Sequence, residues 1–386
     1  MESDLKTQLT KVLTKIAGQV DNTEKLGKIP DENIQLLRET GFFKSLQPKA
    51  FGGLELSIPE YVECVIEIAK VCASTAWACS LLANHSHAIG LYSPTLQQEV
   101  WGENSDALIS SSVAPLGQWQ EEKDGIRLSG RFGWSSGCDH ADWAILGYMG
   151  VNDIGQPGPC FAVVPRSDYT ILDDWDSAAL KGTGSKSIQL QDVFVPSYRC
   201  ESLFALNYGL AKGYKSHPGA IFYLPFSPVF SLGFSAVAIG IGYRMLEVFK
   251  EKTRTRVRAY TGAKVVESAP AYMRLAESTN QITSAHRLLQ ADWREMQRCC
   301  EKSALPSPEA VLHWRVHQSY ATKMAIEAVD RLFAAAGGGA WFNSNEMQKL
   351  FRDVHICGSH AQTDYDIAAQ TFGRHLLGLP MDGKHY

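Results

Sequence analysis

The histidines of this 386-residue chain are the residues whose type and spacing most readily suggest chemistry. His85 and His87 are two residues apart, so on a helix they would point to opposite sides, and one of them is expected to face inward. His360 lies near the end of the chain, close to several charged residues. Each admits two interpretations, a group of an active site or an ordinary histidine that only satisfies its own hydrogen bonds. The sequence pattern alone favours the ordinary histidine.

A second set of candidates consists of small hydroxyl residues beside an indole ring. Residues 131–140 contain Trp134, Ser135 and Ser136, and Ser111 belongs to a similar run of three serines. Hydroxyl and backbone N–H groups can bond the polar edge of a planar heterocycle while the indole packs against it. The competing interpretation is a strand that ends in a β-turn.

Motifs for several other chemistries are absent or poorly placed. The Gly-x-Gly pairs at 182–184 and 240–242 do not lie at a strand-to-helix turn, so a dinucleotide-binding loop is not expected. No GxxxxGK[ST], GxSxG or HExxH motif occurs. Cys299 and Cys300 are adjacent, which is poor spacing for metal ligands, so the sequence predicts no metal site.

Composition excludes further classes of protein. Lys and Arg number 37 against 41 Asp and Glu, a net charge of −4, so no global positive field attracts nucleic acid or an anionic membrane. No run approaches the ~20 apolar residues of a membrane span, and the polar N-terminus has no apolar signal core. Nine unevenly spaced cysteines do not form a disulfide framework. We therefore expect a soluble, cytoplasmic protein.

The elements that must position these candidates fall into three regions. Residues 1–104 show helical periodicity, with a helix expected from Pro30 to Thr40 that stops at Gly41, and a capping box at Ser57 and Glu60. Period-two segments between turn residues predict an antiparallel β-barrel or sandwich over 105–215. Helical periodicity returns over 216–386. The four helices predicted there span 230–255, 270–302, 308–336 and 345–378.

The order of these regions and three local patterns resemble the acyl-CoA dehydrogenase superfamily over nearly the whole chain. Residues 180–196, which end in Asp-Val-Phe-Val-Pro, are similar to its second-domain signature. The three glycines at 337–339 resemble its cofactor-diphosphate turn, and residues 132–136 look like its flavin-edge strand. The resemblance implies an α+β fold with an N-terminal helical domain, a central β-barrel or sandwich domain and a C-terminal four-helix bundle.

Dehydrogenase chemistry is not expected. Acyl-CoA dehydrogenases need a carboxylate base shortly after an Arg-Asp pair, whereas here Ala361 follows Arg352 and Asp353 in the glutamate's place. The sequence more closely resembles the two-component, reduced-flavin-dependent aromatic monooxygenases, above all the hydroxyphenylacetate hydroxylases. The stretches that carry this resemblance are 75–78, 85–87, 110–112, 134–140, 256–262 and 351–353. A flavin-storing or purely structural bundle protein remains as the non-enzymatic alternative.

In such monooxygenases a flavin C4a-hydroperoxide transfers an oxygen atom to an electron-rich aromatic ring. The resemblance places Ser136 at flavin N5, His360 beside the hydroperoxide and His85 against the polar substituent of the substrate. The other substrate contacts that it implies are Ser111 near the flavin, Trp77 in the pocket wall and Phe230 over the substrate ring.

The resemblance also implies the cofactor, the partners and the flavin contacts. Reduced FAD or FMN would arrive by diffusion from a separate NAD(P)H:flavin reductase, with O2 as co-substrate. Related proteins are tetramers with flavin near subunit boundaries, so a homotetramer is expected. Arg256 would contact the flavin ring system or its phosphate. The full set of implied flavin contacts is Trp134, Ser135, Ser136, Arg256, Gly338 and Gly339.

Two departures from the hydroxyphenylacetate hydroxylases shape the expected substrate. Ser227 stands where those enzymes carry an arginine that binds the substrate carboxylate, and Gln362 replaces a tyrosine. A serine cannot form the bidentate charge pair that offsets the desolvation of a carboxylate. A neutral aromatic substrate is therefore expected, with indole as the main candidate. The alternative is 4-hydroxyphenylacetate or another phenol, and an acyl-CoA substrate is disfavoured by Ala361.

Overall fold

The computed structural model describes residues 4–380, and its N-terminal part is helical. The six helices are α1 (Asp4–Gly18), α2 (Val20–Leu26), α3 (Asp31–Thr40), α4 (Ile58–Val71), α5 (Ala73–Gly90) and α6 (Pro94–Trp101). The predicted helix boundaries are confirmed at α3, which ends at Gly41 in the left-handed conformation. They are also confirmed at α4, where Ser57 and Glu60 form both bonds of the capping box.

Helix α5 is the central helix of this region, since all of its 18 residues are buried. It therefore buries His85 and His87 together, and the expectation that one of the two faces inward is too narrow. The burial of both is possible because each ring bonds a main-chain carbonyl from a different element. Cys64, Cys72 and Cys79 are buried and carry no disulfide.

Seven strands follow, in the order β5-β6-β2-β1-β3-β4-β7 across the sheet. The strands are β1 (Ile109–Glu122), β2 (Gly125–Ser135), β3 (Trp143–Val151), β4 (Pro157–Pro165), β5 (Thr170–Leu172), β6 (Lys186–Pro196) and β7 (Cys200–Ser202). One pairing differs from the antiparallel prediction, because β1 and β3 run parallel. Strand β2 forms a hairpin with β1 and occupies one edge of it. Strand β3 therefore pairs with the other edge of β1, and it runs in the same direction as β1.

The C-terminal part is helical again. Its helices are α7 (Leu203–Tyr208), α8 (Phe226–Phe230), α9 (Leu232–Thr255), α10 (Ala269–Glu301), α11 (Pro308–Ala335), α12 (Glu346–Gly358) and α13 (Tyr365–Leu376). Three of the four predicted bundle helices are found as α9, α10 and α11. The fourth is broken, because a turn over 359–364 separates α12 from α13 and Asp364 caps α13. The domain limits expected after residues 104 and 215 fall between elements and stay predictions.

Helix α9 and the residues just before it form the most apolar segment of the chain. Phe226–Thr255 has the length and the mean hydropathy, 1.5, of a membrane span, which the sequence analysis did not expect. However, 89% of the apolar window is buried inside the protein. The segment therefore consists of two core helices, α8 and α9, which pack against α4, α5 and α11.

A hydrogen bond joins the C-terminal helical bundle to the β-domain close to the turn that contains His360. The buried Asp353 on α12 accepts the main-chain N–H of Leu180 at 2.7 Å. Lys349, one turn earlier, pairs with the same carboxylate. The helix that leads into the turn with His360 is therefore tied directly to the segment that precedes β6.

Candidate functional site

The buried ring of His85 presents a hydrogen-bond acceptor. Its Nδ1 lies 2.7 Å from the carbonyl oxygen of Ile109, which can only accept, so Nδ1 carries the proton. Burial lowers the pKa of His85 from about 6.5 to about 4, so the ring is neutral at physiological pH. Its Nε2 therefore has a lone pair, and this buried atom has no hydrogen-bond partner among residues 4–380.

The ring of His360 presents the opposite polarity. The main-chain N–H of Gln362 donates to its Nδ1 at 3.2 Å, so the proton of the neutral ring is on Nε2. Burial lowers the pKa of His360 to about 4. The break between α12 and α13 makes this possible, because a continuous helix would use that N–H within its own ladder.

Aromatic rings connect the two histidines. The ring of Phe230 lies 5.9 Å from that of His85 and 6.2 Å from that of His360. Phe234 stacks on His360 at 3.9 Å, and Trp77 contacts both Phe234 and His360. The structure thus brings together four predicted site residues from α5, α8 and the 359–364 turn. Phe234 was missed, because nothing in the apolar sequence of α9 distinguishes it.

A chain of hydroxyl groups holds Ser136 in one orientation. Trp77 Nε1 donates to Ser136 Oγ at 3.2 Å, Ser136 and Ser185 are 2.8 Å apart, and Ser185 and Thr183 are 2.7 Å apart. Thr183 donates its only proton to the carbonyl of Leu180. Ser185 must then donate to Thr183, and Ser136 to Ser185, since each hydroxyl has one proton. Ser136 can therefore accept a further hydrogen bond but cannot donate one.

Beside Ser136, the backbone projects an indole into solvent. Trp134 is 70% exposed and has a φ of 65°, a left-handed conformation that is strained for a bulky residue. The neighbouring Ser135 is buried, and its hydroxyl has no partner in the described part of the chain. An exposed aromatic wall beside an oriented hydroxyl acceptor fits the ring of reduced flavin, whose N5 carries a hydrogen. The predicted segment thus has the groups that this cofactor requires.

A separate group of predicted flavin contacts lies at the ends of α9 and α11. Arg256 Nη1 donates to the carbonyl of Ala335 at 2.8 Å, and its guanidinium packs against Gly337, where a Cβ would lie 2.2 Å from Nη2. Gly338 and Gly339 are exposed and border open space. The structure therefore places Arg256 beside the glycine turn. A guanidinium and exposed main-chain N–H groups are both suited to binding a phosphate. No hydrogen bond within residues 4–380 links this group to Ser136.

The two residues that set the expected substrate line one cavity of about 270 Å³. Ser227 and Gln362 form part of its wall, together with Asn207 and Arg315, which the sequence analysis did not single out. Asn207 holds Ser227 at both its hydroxyl and its main-chain N–H, 2.9 and 3.0 Å away. Ser111 lies elsewhere, on β1 two residues after Ile109, the residue whose carbonyl orients His85.

Comparisons with known proteins agree with this geometry. Family models for the acyl-CoA dehydrogenase N-terminal and C-terminal domains match residues 4–102 and 232–365. The p-hydroxyphenylacetate 3-hydroxylase oxygenase component of Acinetobacter baumannii is 47% identical over 376 residues, which cover 97% of this chain and 89% of that protein. This chain belongs to the flavin-dependent monooxygenase oxygenase components.

Other members of this monooxygenase family are also similar along their whole length. The FADH(2)-dependent resorcinol hydroxylase oxygenase component of Rhizobium sp. (strain MTP-10005) is 30% identical, with 97% of this chain and 96% of that protein covered. The crystal structure of 3-HSA hydroxylase from Rhodococcus sp. RHA1 matches with a TM-score of 0.94 and 33% identity, covering 100% and 99% of the two chains.

Membership of the monooxygenase family confirms the predicted acyl-CoA dehydrogenase-like fold and the predicted enzyme class. The chain is the oxygenase component of a two-component system that depends on reduced flavin and acts on an aromatic substrate. Acyl-CoA dehydrogenation is not supported, and residue 361, an exposed alanine, supplies no carboxylate. The roles predicted for individual residues stay predictions.

Three histidines with strongly lowered pKa values should make this oxygenase component sensitive to acid. Burial lowers the pKa values of His85, His87 and His360 to about 4, whereas unfolding returns each to about 6.5. The unfolded chain then binds more protons between these values, so the free energy of unfolding falls as pH drops through that window and is unaffected above it. Each histidine contributes roughly 1 kcal/mol per pH unit. The melting temperature measured from about pH 7 to about pH 5 reports this loss.

The variant His87→Asn is the matched control for this acid sensitivity. It removes one of the three titrating rings, and the ring that it removes is not among the predicted site residues. We expect the melting temperature of the variant to depend on pH less steeply than that of the natural chain. A melting temperature of the natural chain that stays constant across the window would contradict the assignment of neutral buried rings.

Proposed function

We propose that this oxygenase component hydroxylates a phenol that carries no carboxylate. The observation that carries the proposal is the buried Nε2 of His85, which has no partner among residues 4–380 and can accept a hydrogen bond from a donor on the ligand. A phenolic O–H supplies that donor. Ser227, held by Asn207 in the wall of the nearby cavity, brings no charge to bind an acid.

Indole is the second candidate, because its N–H can donate to the same Nε2 of His85. The order of the two candidates differs from the sequence-based expectation. The relatives at 47% and 30% identity are named for p-hydroxyphenylacetate and resorcinol, which are both phenols. These names favour a phenol, whereas Ser227 in place of the expected arginine argues against an acidic one.

The residues of the site have distinct roles in the proposed reaction. Trp134 and Ser136 would hold reduced flavin, which would provide the electrons that activate O2, and one atom of O2 would enter the ring. His85 Nε2 accepts the phenolic hydrogen bond and takes up that proton as the ring is attacked, which raises electron density at the ortho carbon. His360 holds a donor proton at its Nε2 because Gln362 occupies its Nδ1. Trp77, Phe230 and Phe234 keep water from these two rings.

A matched set of substrates tests the proposal. With reduced flavin supplied chemically and O2 present, the purified chain should oxidise 4-hydroxyphenylacetamide with a higher kcat/KM than 4-hydroxyphenylacetate, which has the same shape and a charge. Indole is measured beside them. Preference for the acid would overturn the proposal of an uncharged substrate, and preference for indole would reverse the two candidates.

Ser136→Ala should increase the share of O2 that is released as hydrogen peroxide. The variant removes the acceptor that we assign to the flavin N5 hydrogen, and it also leaves Trp77 Nε1 without its partner. One lost hydrogen bond corresponds to a change of up to about tenfold in the ratio of peroxide to product. Ser185→Ala is the comparison variant: it keeps the oxygen at position 136 but frees its proton from Ser185, so the ratio should rise less than in Ser136→Ala. An unchanged ratio in Ser136→Ala would remove this residue from the flavin site.

We also propose that the chain assembles as a homotetramer. Large apolar side chains are exposed near the Arg256 and glycine-turn group, as if another copy covered them. They include Tyr260, Trp341 and Phe342. Light scattering at micromolar concentration should give four times the chain mass of 42.6 kDa, and a monomeric mass would contradict the assembly.

A further inference from the structure

The cavity beside the His360 turn extends well beyond Ser227 and Gln362. Its floor is apolar and is formed by the loop between α10 and α11, the first turns of α11, and Pro225 and Pro228 before and within α8. Residues such as Pro228, Leu305 and Leu312 line it. The volume of about 270 Å³ exceeds what one or two waters need, so the cavity has room for several non-hydrogen atoms of a ligand.

One polar side chain in this wall is buried without a partner. Gln318 on α11 is 1% exposed, and neither the oxygen nor the nitrogen of its carboxamide has a hydrogen-bond partner in the described part of the chain. Buried amides are nearly always bonded, because an unsatisfied one loses its hydration without compensation. Gln318 lies one turn after Arg315, so both belong to the face of α11 that borders the cavity.

We infer that Gln318 selects substrates whose ring carries an apolar substituent ending in an uncharged hydrogen-bonding group, such as a ketone or an alcohol. This inference rests on the proposed function, in which the phenol ring lies against His85. The cavity and the aromatic cluster share α8, since Pro228 lines the one and Phe230 belongs to the other. A substituent that passes α8 reaches Gln318, while the apolar floor contacts its methylene groups.

The carboxamide of Gln318 discriminates by charge as well as by shape. Its N–H groups bond a ketone or hydroxyl oxygen, and its own oxygen accepts from a hydroxyl. A carboxylate would gain the N–H groups but would be repelled by the amide oxygen. Arg315, which also lines the cavity, already has an interaction within the protein.

Three phenols of the same length test the inference. They are 4-(4-hydroxyphenyl)butan-2-one with a ketone, 4-butylphenol with no polar end and 3-(4-hydroxyphenyl)propanoate with a charge. We expect calorimetry to show that the natural chain binds the ketone about tenfold more tightly than either of the others. In Gln318→Leu, the advantage of the ketone over 4-butylphenol should disappear, and 4-methylphenol, which does not reach the cavity, should bind as before.

Gln318→Asn serves as the second variant, because it keeps the carboxamide but withdraws it by one carbon. It should weaken binding of the ketone while the chain stays folded. Equal binding of the ketone by the natural chain and by both variants, or a preference of the natural chain for the propanoate, would overturn the role of Gln318. If binding of the ketone depends on Gln318 but the chain does not oxidise these phenols with reduced flavin, the proposed function is contradicted and the role of Gln318 in binding is not.

Discussion

Replacing His85 with asparagine is expected to lower kcat/KM for a phenol by roughly 10²–10⁴-fold, the range typical of a lost general base. The side-chain amide of asparagine can keep the hydrogen bond to the carbonyl of Ile109 that orients His85, and its oxygen can accept from the ligand. It cannot take up the phenolic proton. The variant therefore tests basicity at this position rather than packing.

The pH dependence of the His85→Asn variant gives a second, independent readout. A phenolate needs no base, so activity of the variant should rise with pH as the phenol ionises, while the natural chain should change little. Burial lowers the pKa of His85 to about 4, so no loss of activity from its protonation is expected near neutral pH. His87→Asn on the same helix should keep its activity. A modest and pH-independent loss in His85→Asn would show that His85 only shapes the pocket.

Introducing arginine at position 227 is expected to invert the preference between charged and uncharged substrates. Ser227 lines a cavity with space for a longer side chain, and its main-chain N–H stays bonded to Asn207 whatever side chain it bears. Losing one partner of a buried charge pair costs about 2–5 kcal/mol, and part of that cost is the charge left unpaired, so forming a new pair gains less than the full range. The ratio of kcat/KM for 4-hydroxyphenylacetate to that for its amide should therefore rise by roughly tenfold to a thousandfold in Ser227→Arg.

The control for Ser227→Arg is Ser227→Gln, which adds length without charge. It should impair both substrates and leave their ratio unchanged. If the natural chain already prefers the acid, the argument from Ser227 fails, and Arg315 in the same cavity becomes the group to replace.

Local signals predicted the helical parts of the fold well. The proline and glycine at the two ends of α3 and the capping box of α4 act within one turn of chain, so they can be recognised in a single sequence. The parallel pairing of β1 with β3 depends on which edge of β1 is open after the hairpin forms, which strand periodicity does not encode. The end of α12 at residues 358–359 also lacks a proline, although Asp364 is a recognisable cap for α13.

The candidate site was predicted in part for the same reason. Histidines and serines in unusual stretches attract attention, and His85 and His360 do lie around one ring, that of Phe230. Phe234 and Gln318 gave no signal, because an apolar residue in an apolar helix and a glutamine on an amphipathic helix are ordinary. Their importance comes from burial and from missing partners, which only the three-dimensional arrangement shows.

The most direct test of hydroxylation of an uncharged phenol is a single turnover with isotopically labelled oxygen. The purified chain with one equivalent of reduced flavin is mixed with ¹⁸O₂ and 4-hydroxyphenylacetamide, and the products are analysed by mass spectrometry. We expect a catechol that carries one ¹⁸O atom in its new hydroxyl, formed in nearly equal amount to the flavin oxidised. Flavin oxidation that yields only hydrogen peroxide with this phenol, while 4-hydroxyphenylacetate or indole is oxygenated under the same conditions, would contradict this expectation.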